Sequence, residues 1–410
     1  MNSEQSSTAQ QNWPLARLGD IADIVNGAGF PEIEQGHSDL QIPFVKVSDM
    51  NTADEAGIIR SAANSISTET ARRLGARVCP AGTVVFPKVG GALLTNKKRV
   101  LGLPAVFDNN VMGAVPRSVA PLWLYFWLLS VDLAALANTQ ALPSIRQSQV
   151  ANLEIPLPPV LEQERLATKL SRALATIDTA RHDAEARLAA AESLPAAYLR
   201  EVFDGPGASA WEIVSAGDIA QISGGVQKSP GRAPRNHHCA YLTVRNVQRG
   251  SLDLSQVERF EVTPAELDRL RLRKGDILVV EGNGSPDQIG RNAIFNLNET
   301  DWIHQNHVIR VRLGESATPQ FISLFLNSPA GKAQMMERAR STSGLYTLSV
   351  DKVGSLQLPL PPLADQRRIA ERLSGKLSAA DYLVRRCREE LAAIEALPAA
   401  VLRAAFNGES

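Results

Sequence analysis

A segment of 65 residues occurs twice in this chain, 203 positions apart, and it constrains the fold more than any other feature. Residues 141–205 align with residues 344–408 without a gap, and 26 of the 65 positions are identical. Each copy contains a proline-rich run, IPLPP at 155–159 or LPLPP at 358–362, and the 35 residues after each run contain no proline. A repeat of this length predicts two structural units of the same kind.

Both copies have the pattern of a long amphipathic helix. Proline lacks a backbone donor and keeps the residue before it extended, so the proline-rich runs predict stiff connectors outside the helices. The helices are predicted to begin at about Leu161 and Ala364, with carboxylates in their first turns. Apolar residues then recur at spacings of three and four over about 30 residues, a narrow stripe typical of a two-helix coiled coil. Pro195 and Pro398 are predicted to kink or restart the helices.

The order of the segments predicts how the two helices pair. The first helix leads from one globular segment to the next, and the termini of a domain commonly lie close together. The second helix would then begin where the first ends, and two helices of roughly 33 residues would form an antiparallel rod of roughly 50 Å. Each helix could instead pack on its own neighbouring domain, although the stripe is longer than a small domain covers.

The segments before the helices predict mixed α/β domains. They contain short alternating strand patterns, a few helices and glycine-rich turns, and they resemble each other weakly, as WPLARLGDIADI (13–24) resembles WEIVSAGDIAQI (211–222). The predicted fold class is α/β, with two α/β domains separated by an antiparallel two-helix coiled coil in a pseudo-two-fold internal repeat. The predicted boundaries are 1–154 for domain 1, 155–205 for the first helical spacer, 206–357 for domain 2 and 358–410 for the second spacer.

Composition limits the classes of function. The chain has 410 residues, with 43 Lys and Arg against 43 Asp and Glu, so its net charge favours neither nucleic acid nor a membrane. Its 3 cysteines lie far apart, which predicts a reducing compartment and no zinc framework. The polar N-terminus and the lack of a long apolar run predict a cytoplasmic protein without a membrane partner.

Motifs for catalysis or cofactor binding are not recognisable. The proline pairs Pro158–Pro159 and Pro361–Pro362 lack the Asn or Asp and the aromatic residue of the turn that adenine methylation requires. No phosphate-binding loop of the form GxxxxGK[ST] occurs. His304 and His307 fall in a strand-like pattern that points them to opposite faces. We therefore expect a protein that is not an enzyme and that binds no cofactor or metal.

The repeated motifs resemble those of one known family. PLPP-x3-Q-x-R leads into the helix twice, and LPAA-x-LR-x-x-F closes it twice. This arrangement is similar to the specificity subunit of type I restriction–modification systems, over nearly the whole chain. The resemblance implies a sequence-specific DNA-recognition subunit, with two target-recognition domains that each read half of a split double-stranded target. It also implies that the helices hold two copies of an adenine methyltransferase subunit, onto which restriction subunits assemble.

Two other hypotheses remain open at this stage. A scaffold that does not bind DNA could use the coiled coil to join proteins and the α/β domains to bind other ligands. A catalytic module without a recognisable motif is the third possibility. DNA recognition predicts sequence-specific protection of DNA with partner subunits present, whereas the scaffold predicts no protection and the enzyme predicts turnover by the isolated chain.

Both domains contain residue types that read DNA. Paired donors and acceptors read base edges, and basic residues set the register on phosphates. In domain 1 the candidates lie in TNKKRV (95–100) and at the ends of strand-like runs: Lys46, Ser48, Lys88, Asn96, Lys97, Lys98 and Arg99. In domain 2 they lie in QKSPGRAPRNHH (227–238), in VRNVQR (244–249) and beyond: Lys228, Arg232, Arg235, Asn236, Arg245, Asn246, Arg291, Gln305, Asn306 and His307. For each of them the alternative is an ordinary solvated surface residue.

Charge predicts that partner subunits are needed for binding. Residues 1–154 hold 12 basic and 13 acidic side chains, and residues 206–357 hold 17 and 15. Neither domain is strongly basic, so electrostatic attraction to DNA would be weak, which fits a non-DNA adaptor equally well.

Four polar residues lie just past the proline-rich runs, at identical positions of the repeat. They are Gln163, Arg165, Gln366 and Arg368. A coiled-coil seam uses apolar positions, so helix pairing does not explain them. We therefore predict that they form two equivalent docking surfaces for methyltransferase subunits.

Overall fold

The chain folds into two compact units. The computed structural model describes residues 13–138, 142–235, 237–282, 288–298, 301–339 and 346–407. Unit 1 comprises residues 1–186 and 389–410, and unit 2 comprises residues 187–388. Among the described residues, no helix is both long and apolar enough to cross a membrane.

Unit 1 contains an α/β domain built from short elements. Its strands are β1 (Leu15–Arg17), β2 (Ala22–Asn26), β3 (Ile42–Val45), β4 (Ile58–Ile59), β5 (Asn64–Ile66), β6 (Val84–Pro87), β7 (Arg99–Leu101), β8 (Val106–Phe107), β9 (Val111–Pro116) and β10 (Glu154–Pro156). Its short helices are α1 (Leu18–Ile21), α2 (Thr68–Arg73), α3 (Gly90–Leu94), α4 (Pro121–Ser130) and α5 (Gln147–Ala151). The strands form a sheet of order β2-β9-β6-β7-β4, a sheet of order β5-β3-β8 and the pair β1-β10.

The core of unit 1 is centred on α4. Its sequence, PLWLYFWLLS, has no charged residue, and the helix is buried on most sides. Trp123 is fully buried, its Nε1 donates to Pro156 O at 3.0 Å, and its ring centroid lies 4.5 Å from that of Phe406. Residues near the C-terminus therefore complete the core of the first domain.

Two long helices extend through both units. They are α6 (Val160–Phe203), with 44 residues, and α12 (Leu363–Asn407), with 45 residues. Each begins one residue before the predicted position. Pro195 and Pro398 lie inside them, so the helices do not restart at these prolines, because one missing backbone bond leaves its neighbours intact. The alternative that these prolines kink the helices stays a prediction. At the helical rise each is about 66 Å long, which exceeds the expected rod of roughly 50 Å.

Unit 2 contains a second α/β domain. Its strands are β11 (Glu212–Ser215), β12 (Ala220–Ser223), β13 (His238–Leu242), β14 (Glu258–Glu261), β15 (Ile277–Val280), β16 (Asn292–Ile294), β17 (Trp302–His304), β18 (Val308–Leu313) and β19 (Gln357–Leu360). Its short helices are α7 (Ala216–Ile219), α8 (Pro264–Leu270), α9 (Pro319–Asn327), α10 (Pro329–Ala339) and α11 (Val350–Gly354). The strands form a sheet of order β12-β18-β15-β16, a sheet of order β14-β13-β17 and the pair β11-β19.

The two domains have the same topology. β3 pairs antiparallel with β5 and parallel with β8, and β13 pairs in the same way with β14 and β17. The larger sheets match from β2-β9-β6-β7 to β12-β18-β15-β16, and within the described parts of the chain the first domain adds a fifth strand, β4. The predicted α/β class and internal repeat are confirmed at the level of the fold.

The long helices are antiparallel within each unit. In unit 1, Leu170 near the start of α6 shares a core with Phe406 near the end of α12. In unit 2, Lys376 Nζ of α12 lies 2.9 Å from Glu201 Oε2 of α6. The helix ends also pack on the globular cores, so both kinds of packing considered from the sequence occur together. The two compact units divide both long helices between them, whereas the predicted boundaries assign these helices to separate spacers.

The side chain of each repeated glutamine hydrogen-bonds its long helix to the α/β domain that precedes that helix in the chain. Gln163 is 1% exposed, its Oε1 accepts from Ala120 N at 2.8 Å, and its Nε2 donates to Pro158 O at 2.7 Å. Gln366 is 0% exposed and accepts from Thr318 N at 2.8 Å. Ala120 and Thr318 immediately precede α4 and α9. The predicted docking role of these glutamines needs correcting, because a buried amide bonded inside the chain does not reach a partner.

Replacing Gln163 with Leu is expected to lower the free energy of unfolding by about 1–3 kcal/mol, because the Ala120 N–H and the Pro158 carbonyl lose their buried partner. Chemical denaturation followed by circular dichroism measures the change. Glu164→Ala is the matched control, since Glu164 is the exposed neighbour of Gln163. Equal unfolding midpoints for the two variants would contradict this role of Gln163.

Candidate nucleic-acid interface

Strand ends meet at one edge of the first domain. β2, β3, β6 and β8 end there and β9 begins there, and the residues just beyond these strands bond to one another. Ala28 pairs with Asp108 in a parallel bridge, and Lys88 N donates to Asn110 O at 2.9 Å. We call this region the strand-end edge of the domain.

The second domain has the same strand-end edge. Here β12, β13, β15 and β17 end and β18 begins. Val226 pairs with Gln305 in a parallel bridge, and Glu281 N donates to His307 O at 3.0 Å. The backbone of the edge is therefore repeated, while its side chains differ.

A glycine at each edge permits the strands to approach closely. A Cβ on Gly27 would lie 1.8 Å from Asp108 O, and one on Gly225 would lie 2.0 Å from His304 O. No other residue fits at either position without moving the backbone. Both glycines lie in short glycine-rich stretches, which is a signal in the sequence that points to the edge.

In domain 1, two predicted residues lie at the turn that follows β3. Lys46 immediately precedes the 3-10 helix Val47–Asn51, which carries the exposed Ser48. The buried carboxylate of Asp49 fixes this turn, because its Oδ2 accepts from Lys46 N at 2.7 Å. The turn therefore holds Lys46 and Ser48 at the strand-end edge.

Lys97 and Arg99 approach the same turn from β7 and the residues before it. Lys97 Nζ donates to Asn51 Oδ1, and Arg99 Nε donates to Met50 O at 3.0 Å. The structure therefore brings together four of the predicted residues of domain 1, two on the turn and two beside it.

Lys88 lies in a polar cluster at the end of β6. Its Nζ donates to Asn26 Oδ1 at 2.9 Å, and Asn26 Nδ2 donates to Gln147 Oε1 at 2.9 Å. Burial lowers the pKa of Lys88, and the nearby carboxylate of Asp108 opposes that shift. Sequence reasoning identified Lys88 but missed Asn26 and Gln147, which join it only through the fold.

The prediction needs correcting at Asn96 and Lys98. Lys98 is 1% exposed, and its Nζ donates to Asn96 Oδ1 at 2.6 Å and to Val131 O at 2.7 Å. Burial lowers the pKa of Lys98 to about 8. Asn96 has a φ of 53°, and its Oδ1 also accepts from Leu133 N at 3.0 Å. The two side chains hold the segment after α4 and do not extend toward a ligand.

In domain 2, three predicted residues surround the turn after β13. Gln305 Oε1 accepts from Val244 N at 3.3 Å, and Arg291 Nη2 donates to Val244 O at 3.1 Å. Arg245 Nη1 donates to Gln256 Oε1 at 3.0 Å on the same turn. Gln305, Arg291 and Arg245 are thus held at the strand-end edge.

A histidine and a carboxylate lie beside them. His307 Nδ1 is 2.7 Å from Glu281 Oε2, and Asn306 Nδ2 is 3.3 Å from His307 Nε2. Sequence reasoning missed Glu281. His304 is fully buried and burial lowers its pKa to about 4, so it is a core residue. Among the described residues, no group of three or more His, Cys, Asp or Glu side chains could hold a metal ion.

The basic loop of domain 2 is balanced by carboxylates. Lys228 Nζ lies 2.5 Å from Glu258 Oε2, and Arg232 Nη2 lies 2.8 Å from Glu266 Oε1. The Arg232 hydrogen bond holds the pKa of Glu266 at about 2. Arg235 is exposed. These pairs reduce the positive potential that the sequence of the loop suggests.

Of the three asparagines predicted for domain 2, Asn306 lies beside His307, whereas Asn246 is buried in its turn. Asn246 is 2% exposed, its Oδ1 accepts from Thr243 N at 2.9 Å, and its Nδ2 donates to Gln256 O at 2.8 Å. The prediction needs correcting at Asn246, because these bonds fix the turn from inside. Asn236 lies outside the described residues.

The repeated arginines are exposed, unlike the repeated glutamines. Arg165 pairs with Glu162 at 2.6 Å, and Arg368 pairs with Asp365 at 2.8 Å, each one helical turn apart. The two long helices thus present the same ion pair near their beginnings.

Comparisons with known proteins agree with this architecture. Residues 10–187 and 208–385 each match the family model described as type I restriction modification DNA specificity domain. This chain belongs to that family. It is therefore a DNA-recognition specificity subunit, and the hypothesis of a non-DNA scaffold is set aside.

Two known proteins align with almost the whole length of this specificity subunit. It is 25% identical over 423 residues to the type I restriction enzyme EcoKI specificity subunit of Escherichia coli strain K12, spanning 97% of this chain and 89% of that protein. It is 23% identical over 422 residues to the StySPI specificity subunit of Salmonella potsdam, with the same coverage of 97% and 89%.

Two solved structures share the fold. The HsdS subunit of Thermoanaerobacter tengcongensis matches with a TM-score of 0.64 and 19% identity, over 98% of each chain. A chain from a structural study of complex assembly in the type I R-M system matches with a TM-score of 0.73 and 19% identity, over 97% of this chain and 98% of that one.

Proposed function

We propose that this specificity subunit reads a bipartite double-stranded DNA target, one half with the strand-end edge of each domain. The supporting observation is that one backbone arrangement occurs twice and carries different polar side chains each time. Base-edge readout depends on which donors and acceptors are presented, whereas a repeated backbone presents them in the same geometry. Two unlike half-sites are the natural target of such a pair.

The side chains proposed to contact DNA are those that the edges hold at the surface. In domain 1 they are Lys46, Ser48, Lys88, Lys97 and Arg99, and in domain 2 they are Arg245, Arg291, Gln305, Asn306 and His307. The basic loop with Lys228, Arg232 and Arg235 is proposed to contact phosphates. Because Lys228 and Arg232 are paired with carboxylates, binding would be weak without partner subunits.

The proposed partners are two copies of an adenine methyltransferase subunit, with restriction subunits joining through the complex. A complex with two like partners needs two like surfaces, and the repeated ion pairs of Arg165 and Arg368 provide candidates. The specificity subunit itself is proposed to be non-catalytic, to bind no cofactor and to act in the cytoplasm.

Footprinting of the assembled complex tests the recognition of DNA. The specificity subunit, co-expressed with its methyltransferase subunits, is expected to protect a split sequence on genomic fragments. Sequencing of methylated adenines in the host should find the same sequence methylated, and deletion of this gene should abolish that methylation. Protection without sequence preference would contradict the proposal, and so would turnover of DNA by the isolated chain.

Replacing Arg165 with Ala is expected to weaken one docking surface and give an assembly with one methyltransferase subunit per chain. Adding Arg368→Ala should weaken both surfaces, because the second ion pair occupies the matching position. Native mass spectrometry of the co-expressed complex measures the stoichiometry. Lys169→Ala, one turn further along α6 and exposed, is the control. A two-to-one complex that survives both arginine substitutions would mean that docking lies elsewhere.

A further inference from the structure

At one position of the strand-end edge, the backbone N–H and C=O groups have equivalent hydrogen-bond partners in the two domains. Lys88 follows β6 and Glu281 follows β15, the corresponding strand. Their N–H groups donate to Asn110 O and His307 O, at 2.9 and 3.0 Å.

Their carbonyls are matched as well. Lys88 O accepts from Ile145 N at 3.0 Å, and Glu281 O accepts from Leu348 N at 2.7 Å. Ile145 and Leu348 occupy the same position of the duplicated segment, 203 residues apart. Both backbone groups of Lys88 and Glu281 therefore have equivalent partners. The two side chains consequently project from equivalent backbone positions of their domains.

The two side chains at this position have opposite charge and opposite hydrogen-bonding character. Lys88 Nζ has three donors, of which one bonds to Asn26 Oδ1 at 2.9 Å. Glu281 only accepts, and its Oε2 lies 2.7 Å from His307 Nδ1. Among the described residues, Glu281 Oε1 has no donor. Domain 1 thus presents spare donors where domain 2 presents a spare acceptor.

The fold does not require either set of side chains. Asn26 and Gln147 support Lys88 in domain 1, and the corresponding positions of domain 2 hold Gly224 and Val350. Gln147 and Val350 are the first residues of the matching helices α5 and α11. Because the same backbone forms with an amide pair in one domain and with Gly and Val in the other, structural need does not explain the polar cluster.

We propose that Lys88 and Glu281 determine specificity at the same position of the two half-sites, Lys88 by donating to guanine and Glu281 by accepting from cytosine. Guanine offers the acceptors O6 and N7 in the major groove, and cytosine offers the N4 amino group. His307 orients the Glu281 carboxylate, and Asn26 orients the Lys88 ammonium. This inference rests on the proposed function, since it names the residues that discriminate within each edge.

Reversal of the side-chain charge at Lys88 and at Glu281 tests the inference. The full chain, co-expressed with its methyltransferase subunits, is mixed with DNA duplexes randomised in both half-sites, and the bound duplexes are sequenced. Lys88→Glu should change the preferred base from guanine to cytosine at one position of one half-site and leave the other half-site unchanged. Glu281→Lys should make the reverse change in the other half-site. The loss of discrimination at that position should be roughly 5- to 150-fold.

Milder variants and a matched control keep the result interpretable. Lys88→Gln and Glu281→Gln preserve most of the side-chain volume, and each should reduce discrimination at its own position even if charge reversal impairs folding. Lys274→Glu makes the same charge change just before β15, at the opposite end of that strand from Glu281, and should change no preference.

The outcomes separate this inference from the proposed function. If the wild-type complex selects no sequence, the proposed function fails. If the wild type selects a split sequence but the Lys88 and Glu281 variants keep its base preferences, the specificity assignment is overturned and DNA recognition stands. A uniform loss of affinity for all sequences would also overturn it, because that result marks a phosphate contact.

Discussion

Exchanging residues 206–360 for the corresponding domain of the Escherichia coli K12 relative is expected to replace one half of the methylated motif and leave the other half unchanged. The structural reason is that the first and last strands of the second domain pair with each other. The chain enters through β11 and leaves through β19, and these strands pair from Glu212 with Leu360 to Ser215 with Gln357. An exchange that ends after Leu360 transfers this strand pair intact.

Sequencing of methylated adenines in a host that carries the hybrid measures the result. The reciprocal exchange of residues 13–156, which β1 and β10 close in the same way, should change the other half-site and serves as the control. A motif altered in both halves, or in neither, would show that recognition is not divided between the domains.

Replacing Asp276 with Ala is expected to lower the free energy of unfolding of unit 2 by about 3–5 kcal/mol. Asp276 is 2% exposed, and its carboxylate accepts from Arg312 Nε and Nη2, each at 2.7 Å, and from Arg273 N at 2.7 Å. Its removal leaves the largely buried Arg312 without a counter-charge, beside the buried cation of Arg310. The variant should unfold at a lower denaturant concentration, and its second domain should lose structure first.

Asp268→Ala is the control for the loss of a carboxylate. Asp268 also pairs with an arginine, Arg271, but at 3.6 Å and with a side chain that is 79% exposed. Exposed pairs of this kind contribute little to stability because water and salt screen them. If Asp276→Ala were no more destabilised than Asp268→Ala, the buried pair would not have the structural role assigned to it.

The long helices could be predicted from the sequence because their signals are local. A proline-rich run fixes where each helix begins, and an apolar stripe follows at helical spacing, so the predicted starts differ from Val160 and Leu363 by one residue. The role of Gln163 could not be predicted in this way. Its partner Ala120 lies 43 positions earlier in the chain, and a glutamine in a helix ordinarily faces solvent.

The strand-end edges were only partly predictable, for the same reason. Lys88 and His307 were identified because their residue types suit base recognition. Their neighbours Asn26 and Glu281 were missed, since only the pairing of distant strands brings them close. Lys98 illustrates the opposite error, because a lysine in the basic run TNKKRV is buried by a fold that the run itself does not reveal.

The contact of Trp123 with Phe406 has a consequence for biosynthesis. A ribosome makes the chain from its N-terminus, so the first domain emerges long before the residues after 389 that finish its core. The second domain belongs to a unit formed by the continuous stretch 187–388, so its core can be completed earlier. The domain that is synthesised first is therefore the last to complete its hydrophobic core. A chain that stops short of Leu402 and Phe406 leaves an apolar surface exposed on its first domain. Chaperones and proteases bind such surfaces, so we expect chains that lack Leu402 and Phe406 to be retained or degraded more than chains that include them.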